Sequence, residues 1–220
     1  MNLTNTSSPL FDALSASFDK VAVNLEFSIS ELQKQQLINY VLLIDKWNKT
    51  YNLTSVRNPQ DMLIKHIFDS IVVSPHLQGS HFVDVGTGPG LPGIPLAIMN
   101  PDKTFLLIDS LGKRVRFIKQ SLYELKMSNV TAMQIRVEDL EIAEPFDGVL
   151  SRAFASLKDM LHWCQNMTDE NGLFLALKGQ VNQLELDEIP TGFTVVDCVN
   201  LAVPNLQGER HLIKVKKISN

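Results

Sequence analysis

The chain has 220 residues, a length that suits one α/β domain with at most a small addition. Its formal net charge of −4 argues against a protein that coats nucleic acid indiscriminately, and no apolar run reaches the roughly 18 residues that a membrane span needs. The N-terminus is polar and uncharged, without the basic start and apolar core of a signal peptide, so we expect a cytoplasmic protein.

Residues 1–75 are predicted to form a helical N-terminal cap. Ser28 and Glu31 have the spacing of a capping box, and apolar residues recur at helical intervals after them as far as about residue 48. Asn58, followed by proline, is predicted to cap a second helix. A further helix is expected within residues 10–25.

Residues 76–220 show a different pattern, in which apolar strands alternate with helices. This alternation predicts an α/β fold, a Rossmann-like parallel sheet with helices on both faces. The last two strands have no helical pattern between them, which predicts an antiparallel C-terminal edge. The predicted strands are 81–85, 104–108, 130–135, 148–151, 172–177, 193–200 and 210–216, and the predicted helices are 91–99, 112–126, 157–167 and 181–188.

A glycine-rich turn follows the first of these strands. It reads Gly86-Thr-Gly-Pro-Gly90, and Asp109 stands at the end of the next strand, nineteen residues beyond Gly90. Glycines allow a ligand to approach the backbone closely, and a carboxylate at a strand end can accept hydrogen bonds from ribose hydroxyls. The pattern therefore predicts a site for a nucleoside-bearing cofactor. The alternative is a tight strand-to-helix turn with no ligand.

The turn departs from the dinucleotide pattern G-x-G-x-x-G, because Leu91 stands where the third glycine would be. A cofactor without a pyrophosphate, such as S-adenosylmethionine, does not need the phosphate site that this pattern forms at a helix N-terminus. The antiparallel C-terminal pair also favours a methyltransferase sheet. A nicotinamide-dependent oxidoreductase on the same fold is the alternative.

Several segments resemble one bacterial family. The most specific are residues 81–96, HFVDVGTGPGLPGIPL, and residues 151–155, SRAFA. Over roughly residues 25–216 the chain resembles the small-subunit ribosomal RNA guanine-N7 methyltransferases, also called the glucose-inhibited division protein B family. This resemblance implies a class I S-adenosylmethionine-dependent methyltransferase fold and methylation of a guanine N7 in 16S ribosomal RNA. The other matching segments are 47–54, 66–70, 107–114, 177–179 and 208–212.

The resemblance also implies a cofactor site, to which the topology adds Asp109. Val137 and Glu138 follow the third strand, where an adenine is expected, and Arg152 follows the fourth, where it can hold the cofactor carboxylate or an RNA phosphate. Asp109 as a helix cap, Glu138 as a solvated acid and Arg152 as a surface ion-pair partner are the alternatives. The cofactor-binding candidates are Gly86, Gly88, Leu91, Asp109, Val137, Glu138 and Arg152.

The implied chemistry needs no general base. Guanine N7 carries a lone pair and no proton, so it can attack a sulfonium methyl directly, and catalysis then depends on proximity, orientation and exclusion of water. The base becomes positively charged, and a carboxylate can stabilise that charge. Asp69, in the matching segment 66–70, is the one catalytic candidate, with a purely structural role as its alternative.

The implied partner is 16S ribosomal RNA or the small subunit, whose target base must be unpaired or flipped out. Four cations within seven residues at the start of the helix after Asp109 are predicted to contact phosphates, and a solvated helix face is the alternative. A monomer is expected, and a non-catalytic ribosome-assembly factor is the rival function. The RNA-binding candidates are Lys113, Arg114, Arg116, Lys119 and Lys178, with Phe154, Arg210 and His211 as possible helpers.

The two cysteines, Cys164 and Cys198, stand far apart in the sequence and lack the spacing of metal ligands. We expect both to be reduced thiols in the core. No metal site is expected.

Overall fold

The computed structural model describes residues 8–218 except 153 and 155. Its seven strands are β1 (His81–Val85), β2 (Thr104–Asp109), β3 (Val130–Gln134), β4 (Gly148–Ser151), β5 (Leu173–Lys178), β6 (Phe193–Asn200) and β7 (His211–Lys217). They form one sheet in the order β3-β2-β1-β4-β5-β7-β6. Strands β1 to β5 are parallel, and β7 lies antiparallel to both of its neighbours. The predicted α/β fold, a mostly parallel sheet with an antiparallel C-terminal strand, is confirmed.

Helices cover both faces of the sheet. A π-helical segment, Leu63–Phe68, joins two short α-helices into the single helical run that was predicted after Asn58. The described α-helices are α1 (Pro9–Ala22), α2 (Glu31–Tyr51), α3 (Pro59–Met62), α4 (Asp69–Ile71), α5 (Gly93–Met99), α6 (Gly112–Glu124), α7 (Leu157–Cys164) and α8 (Gln183–Asp187). None of the helices in the described part of the chain is both long and apolar enough to cross a membrane.

The register of the sheet brings the carboxyl ends of β1 and β2 to the same edge. Val85 pairs with Ile108, so the glycine turn that follows β1 and Asp109 at the end of β2 are neighbours. Both strands are mostly apolar and, after their first residues, largely buried on both faces, as expected for strands in the middle of a parallel sheet.

The N-terminal helices pack on the side of the sheet that α5 and α6 cover. Ile38 of α2 and Phe68 of the π-helical segment belong to the same buried apolar cluster as Phe82 of β1. On the opposite face, Leu161 of α7 lies in a second cluster with Val149 of β4. The cap therefore packs with α5 and α6 over the same face of the sheet.

The start of α2 differs from the sequence prediction. The capping box is formed by Ser30 and Gln33, not by Ser28 and Glu31: the Ser30 hydroxyl accepts from the Gln33 N–H, and the Gln33 side chain accepts from the Ser30 N–H. Both pairs fit the capping pattern. The Gln33 amide also donates to the carbonyls of residues 98 and 99 in α5, a long-range contact that favours the observed register.

The predicted environment of the cysteines is half right. Cys164 in α7 is buried, but Cys198 is exposed. Cys198 lies on β6, the edge strand of the sheet, just after an irregularity in the pairing between Val195 and Asp197. Such an irregularity changes which side chains face the core, and no residue of β6 is fully buried.

Candidate active site

The glycine turn curls over the end of β2. Gly86, Gly88 and Gly90 all have positive φ angles, of 66°, 62° and 99°, which residues other than glycine rarely adopt. The N–H groups of Gly86 and Thr87 both donate to the carbonyl of Ile108. At its glycines the turn thus presents backbone, without side chains, at the carboxyl edge of the sheet.

Asp84, in β1, holds this turn through hydrogen bonds. Its Oδ2 accepts hydrogen bonds from the Thr87 hydroxyl at 2.6 Å and from the Gly93 N–H at 2.9 Å, and it is fully buried. Burial raises the pKa of Asp84 to about 6, although both hydrogen bonds and the nearby charge of Arg152 lower it. A Cβ on Gly93 would lie 2.8 Å from this carboxylate, so only glycine fits there. Asp84 was not among the predicted site residues, although a buried acid just before a glycine turn is a usable signal.

The cap also holds the turn. The hydroxyl of Tyr40, a fully buried residue of α2, donates to the carbonyl of Pro89 at 2.6 Å. Burial raises the pKa of Tyr40 well above its usual value. Because the partners are far apart in sequence and Tyr40 looks like any apolar position of α2, no sequence signal indicated this contact.

Asp109 faces the turn from β2 and is only 4% exposed. Its carboxylate accepts from the N–H of Gly88 at 3.0 Å and of Leu111 at 2.8 Å. The Arg114 guanidinium lies 3.1 Å from the same carboxylate. Arg114, predicted to contact RNA, is thus directed towards the turn in this structure, and its Nε is buried without a hydrogen-bond partner among the described residues.

A cavity of about 290 Å³ opens beside these groups at the sheet edge. It brings together Gly86, Asp109, Val137 and Glu138, four of the seven predicted cofactor residues. The other three, Gly88, Leu91 and Arg152, are not in its lining, and Leu91 is buried. Sequence reasoning gave no role to several apolar and polar lining residues, which are Val85, Ile108, Ser110, Ile135 and Arg136; Phe154, a predicted helper, also lines the cavity.

A second polar cluster joins three distant parts of the chain. Asp69, 4% exposed, accepts from Arg210 Nε at 2.6 Å through Oδ1 and from Arg152 Nη1 at 3.3 Å through Oδ2. Burial and, to a lesser extent, the charge of Arg152 lower the pKa of the adjacent His66 to about 4, so its ring is neutral near pH 7. The His66 Nε2 lies 2.9 Å from the Thr54 hydroxyl. Both oxygens of the catalytic candidate Asp69 are thus engaged by arginines.

The remaining RNA-binding candidates have different surroundings. Lys113, Arg116 and Lys119 are exposed along α6, and Lys113 donates to the carbonyl of Tyr51 at the end of α2. Lys178, at the end of β5, forms an ion pair of 2.7 Å with Glu185.

Comparison with known proteins identifies the family. The family described as rRNA small subunit methyltransferase G, GidB, matches residues 33–213. A protein of Shewanella frigidimarina named ribosomal RNA small subunit methyltransferase G is 58% identical over 93% of this chain and 99% of its own length. A protein of the same name from Aliivibrio fischeri is 59% identical over 91% of this chain and 96% of its own.

Solved structures show the same fold at much lower identity. The N-methyltransferase NodS from Bradyrhizobium japonicum matches with a TM-score of 0.53 and 14% identity, covering 70% of this chain and 95% of that one. The family match and the two close relatives, by contrast, span nearly the whole chain. The protein therefore belongs to the GidB family of rRNA small subunit methyltransferases.

Proposed function

We propose that this protein transfers a methyl group from S-adenosylmethionine to N7 of a guanine in 16S ribosomal RNA, acting as a monomer. Family membership and the names of its close relatives support a methyltransferase of small-subunit ribosomal RNA. The observation that carries the proposal is the cavity at the sheet edge, where the bare turn at Gly86 and the carboxylate of Asp109 meet.

The residues around the cavity fit a nucleoside. Gly86 lines the cavity with backbone and no side chain. Asp109 Oδ2 accepts from Gly88 and Arg114, whereas Oδ1 accepts only from Leu111 among the described residues and so keeps acceptor capacity for a ribose hydroxyl. Ile135 and Val137 provide apolar contacts for a purine ring, with Glu138 beside them. The volume of about 290 Å³ lies at the lower end of ligand pockets, as a nucleoside-sized group requires.

The cofactor, when bound, supplies an electrophilic methyl group on a sulfonium centre. The protein does not need to remove a proton, because guanine N7 has none. The described groups of the Asp69 cluster agree with this: a pKa of about 4 makes the His66 ring a weak base, and Asp69 is occupied by two guanidinium groups rather than free to act as a base. The residues of the site are left to bind and orient the cofactor and the guanine and to exclude water.

Arg152 and Arg210 fit anionic groups of the ligands. Asp69 compensates one of their two positive charges, so the cluster keeps a net positive charge, while each side chain remains about one-third exposed. A guanidinium with free N–H groups can bind the cofactor carboxylate or a phosphate of the target nucleotide in a two-pronged contact. Compensation by Asp69 limits repulsion of the base as it becomes cationic.

The test is methyl transfer with defined substrates. Purified protein is incubated with S-adenosylmethionine tritiated in its methyl group and with small subunits from cells that lack this protein. The modified nucleotides are then mapped. We expect one labelled guanine, methylated at N7. Label at another atom or in another RNA would contradict the proposal. Binding of small subunits without binding of S-adenosylmethionine would favour the assembly-factor alternative.

A further inference from the structure

Basic residues are concentrated in two segments that lie far apart in the sequence. Residues 43–58 and 112–123 together contain seven lysines and arginines and one acidic residue, Asp45, although the whole chain has a formal net charge of −4. The first segment belongs to the end of α2 and the loop after it, and the second is most of α6. The cap and the core therefore each contribute one strongly basic segment.

Three contacts show that α2 and α6 lie side by side in opposite directions. The Gln36 amide donates to the carbonyl of Leu125 at 2.9 Å. Farther along α2, the ring of Trp47 packs edge-on against Phe117, with centroids 5.6 Å apart. At the end of α2, Lys113 reaches across to the carbonyl of Tyr51 at 3.1 Å. The basic part of α2 is thus directly beside the basic part of α6.

The exposed faces of α2 and α6 lie on either side of the contacts between the two helices. On α2, Lys46 and Lys49 are exposed, whereas Asn48 is buried. On α6, Lys113, Arg116 and Lys119 are exposed, whereas Phe117 and Ile118 are buried. Helical spacing places each set of cations on the solvent side of its helix. We call the exposed faces of residues 45–51 and 113–120 the α2/α6 surface.

The α2/α6 surface begins at the cavity. Helix α6 starts at Gly112, two residues after Ser110 of the cavity lining, and its Arg114 pairs with Asp109. An RNA whose target guanine meets the cofactor's methyl group beside this cavity must therefore place neighbouring phosphates near this end of α6. Helix α2, packed beside α6, extends the positive surface away from the cavity.

We infer that the α2/α6 surface binds the RNA backbone that flanks the target guanine, and that the cap contributes Lys46 and Lys49 to this contact. The inference rests on the proposed function, since RNA is the substrate it assigns. The cap is then part of the substrate-binding surface, besides holding the glycine turn through Tyr40. Asp45, which pairs with Lys49 at 3.1 Å, is the one acidic residue within these segments and opposes binding.

The variant K46A/K49A tests the inference, with K20A/K158A as its matched control. Lys20 in α1 and Lys158 in α7 are exposed, so both variants lose two surface lysines. Affinity for unmethylated small subunits is measured between 50 and 200 mM salt. We expect about tenfold weaker binding of K46A/K49A at about 0.1 M salt, and a log–log salt slope smaller by about 1.4–1.8, because each phosphate contact contributes about 0.7–0.9. The control should match the wild type.

A second variant changes charge in the opposite direction. D45N removes the acidic residue and should tighten binding, while affinity for S-adenosylmethionine stays unchanged in D45N and K46A/K49A alike. If K46A/K49A and its control have the same affinity and slope, the cap does not bind RNA. If the wild type methylates small subunits but K46A/K49A is indistinguishable from it, only this inference falls. If the wild type neither binds nor methylates them, the proposed function falls as well.

Discussion

The hydroxyl of Tyr40 in the N-terminal cap donates a 2.6 Å hydrogen bond to the carbonyl of Pro89 in the glycine turn. Both groups are buried, and a Cβ on the adjacent Gly90 would lie only 3.0 Å from the Tyr40 oxygen. The cap and the turn are thus in close contact at the point where the cofactor is proposed to bind. A change in one is expected to alter the other.

Tyr40→Phe removes this single hydrogen bond and leaves the ring in place. The buried carbonyl of Pro89 then lacks its donor, which costs about 1–3 kcal/mol in the free energy of unfolding. We expect the turn to loosen, so the KM for S-adenosylmethionine should rise more than kcat falls. Urea unfolding and steady-state kinetics measure the two effects. Tyr123→Phe is the control, because Tyr123 is 80% exposed; equal behaviour of the two variants would contradict the role of Tyr40.

The site is predictable from sequence where its signals are local. The glycine turn and Asp109 are separated by one strand and one helix, and the parallel register that makes them neighbours follows from the alternation of strands and helices. Tyr40 and Pro89 are 49 positions apart, and the packing of the cap onto the sheet cannot be obtained from periodicity. The pairing of Asp69 with Arg152 and Arg210 depends in the same way on three distant segments.

Some sequence patterns are ambiguous rather than silent. Ser28 with Glu31 and Ser30 with Gln33 satisfy the same capping rule, and a contact with α5 favours the second. Cys198 lies in an apolar strand, but its exposure depends on that strand being at the edge of the sheet. In both cases tertiary structure selects between outcomes that local propensity leaves equal.

Asp84 predicts a specific pH dependence of stability. Burial raises its pKa to about 6 in the folded protein, whereas an aspartate in an unfolded chain has a pKa of about 3.9. Between these values the folded state binds a proton that the unfolded state does not. The stability that Asp84 contributes is therefore fully present below about pH 4 and is lost as the pH rises through 6.

The variant Asp84→Asn isolates this effect. The oxygen of its amide can replace Oδ2 of Asp84 and still accept from the Gly93 N–H. The amide nitrogen then takes the place of Oδ1, which has no hydrogen-bond partner among the described residues. We expect the difference in free energy of unfolding, Asp84→Asn minus wild type, to rise by about 1–3 kcal/mol from pH 4.5 to pH 7.5. Denaturant unfolding at several pH values measures the difference. A difference that is constant with pH would show that Asp84 does not titrate in this range.

Arg114 and Arg116 are expected to differ in function, although only one residue separates them. Arg116 is exposed on the α2/α6 surface, whereas Arg114 pairs with Asp109 beside the cavity. Arg116→Ala should flatten the salt dependence of RNA binding by about 0.7–0.9 in slope and leave the affinity for S-adenosylmethionine unchanged. Arg114→Ala should change that affinity, with a smaller effect on the slope. Salt titrations measure the slope of RNA binding, and calorimetry measures the affinity of both variants for S-adenosylmethionine. Equal effects on RNA binding would place both arginines in the RNA contact.

Asp69 is expected to position Arg152 and Arg210 rather than to act on the base. Asp69→Ala leaves two partly buried guanidinium groups without their shared partner, so we expect a loss of about 1–3 kcal/mol in the free energy of unfolding. Arg210→Ala should cost less in the Asp69→Ala background than in the wild type, since its ion pair is already lost there. Urea unfolding of the two single variants and the double variant gives the coupling energy.

The exposed pair of Asp61 and Lys65 is the control for this cycle. Both side chains are about half exposed and four residues apart on one helical run, so their coupling should be only about 0.3–0.5 kcal/mol. For Asp69 and Arg210, which approach to 2.6 Å with the acid almost fully buried, we expect a coupling above about 1 kcal/mol. The loss of activity in Asp69→Ala should be matched by Arg152→Ala or Arg210→Ala and should not increase in the double variants. If Asp69→Ala abolished methyl transfer while both arginine variants stayed active, the carboxylate itself would act on the base.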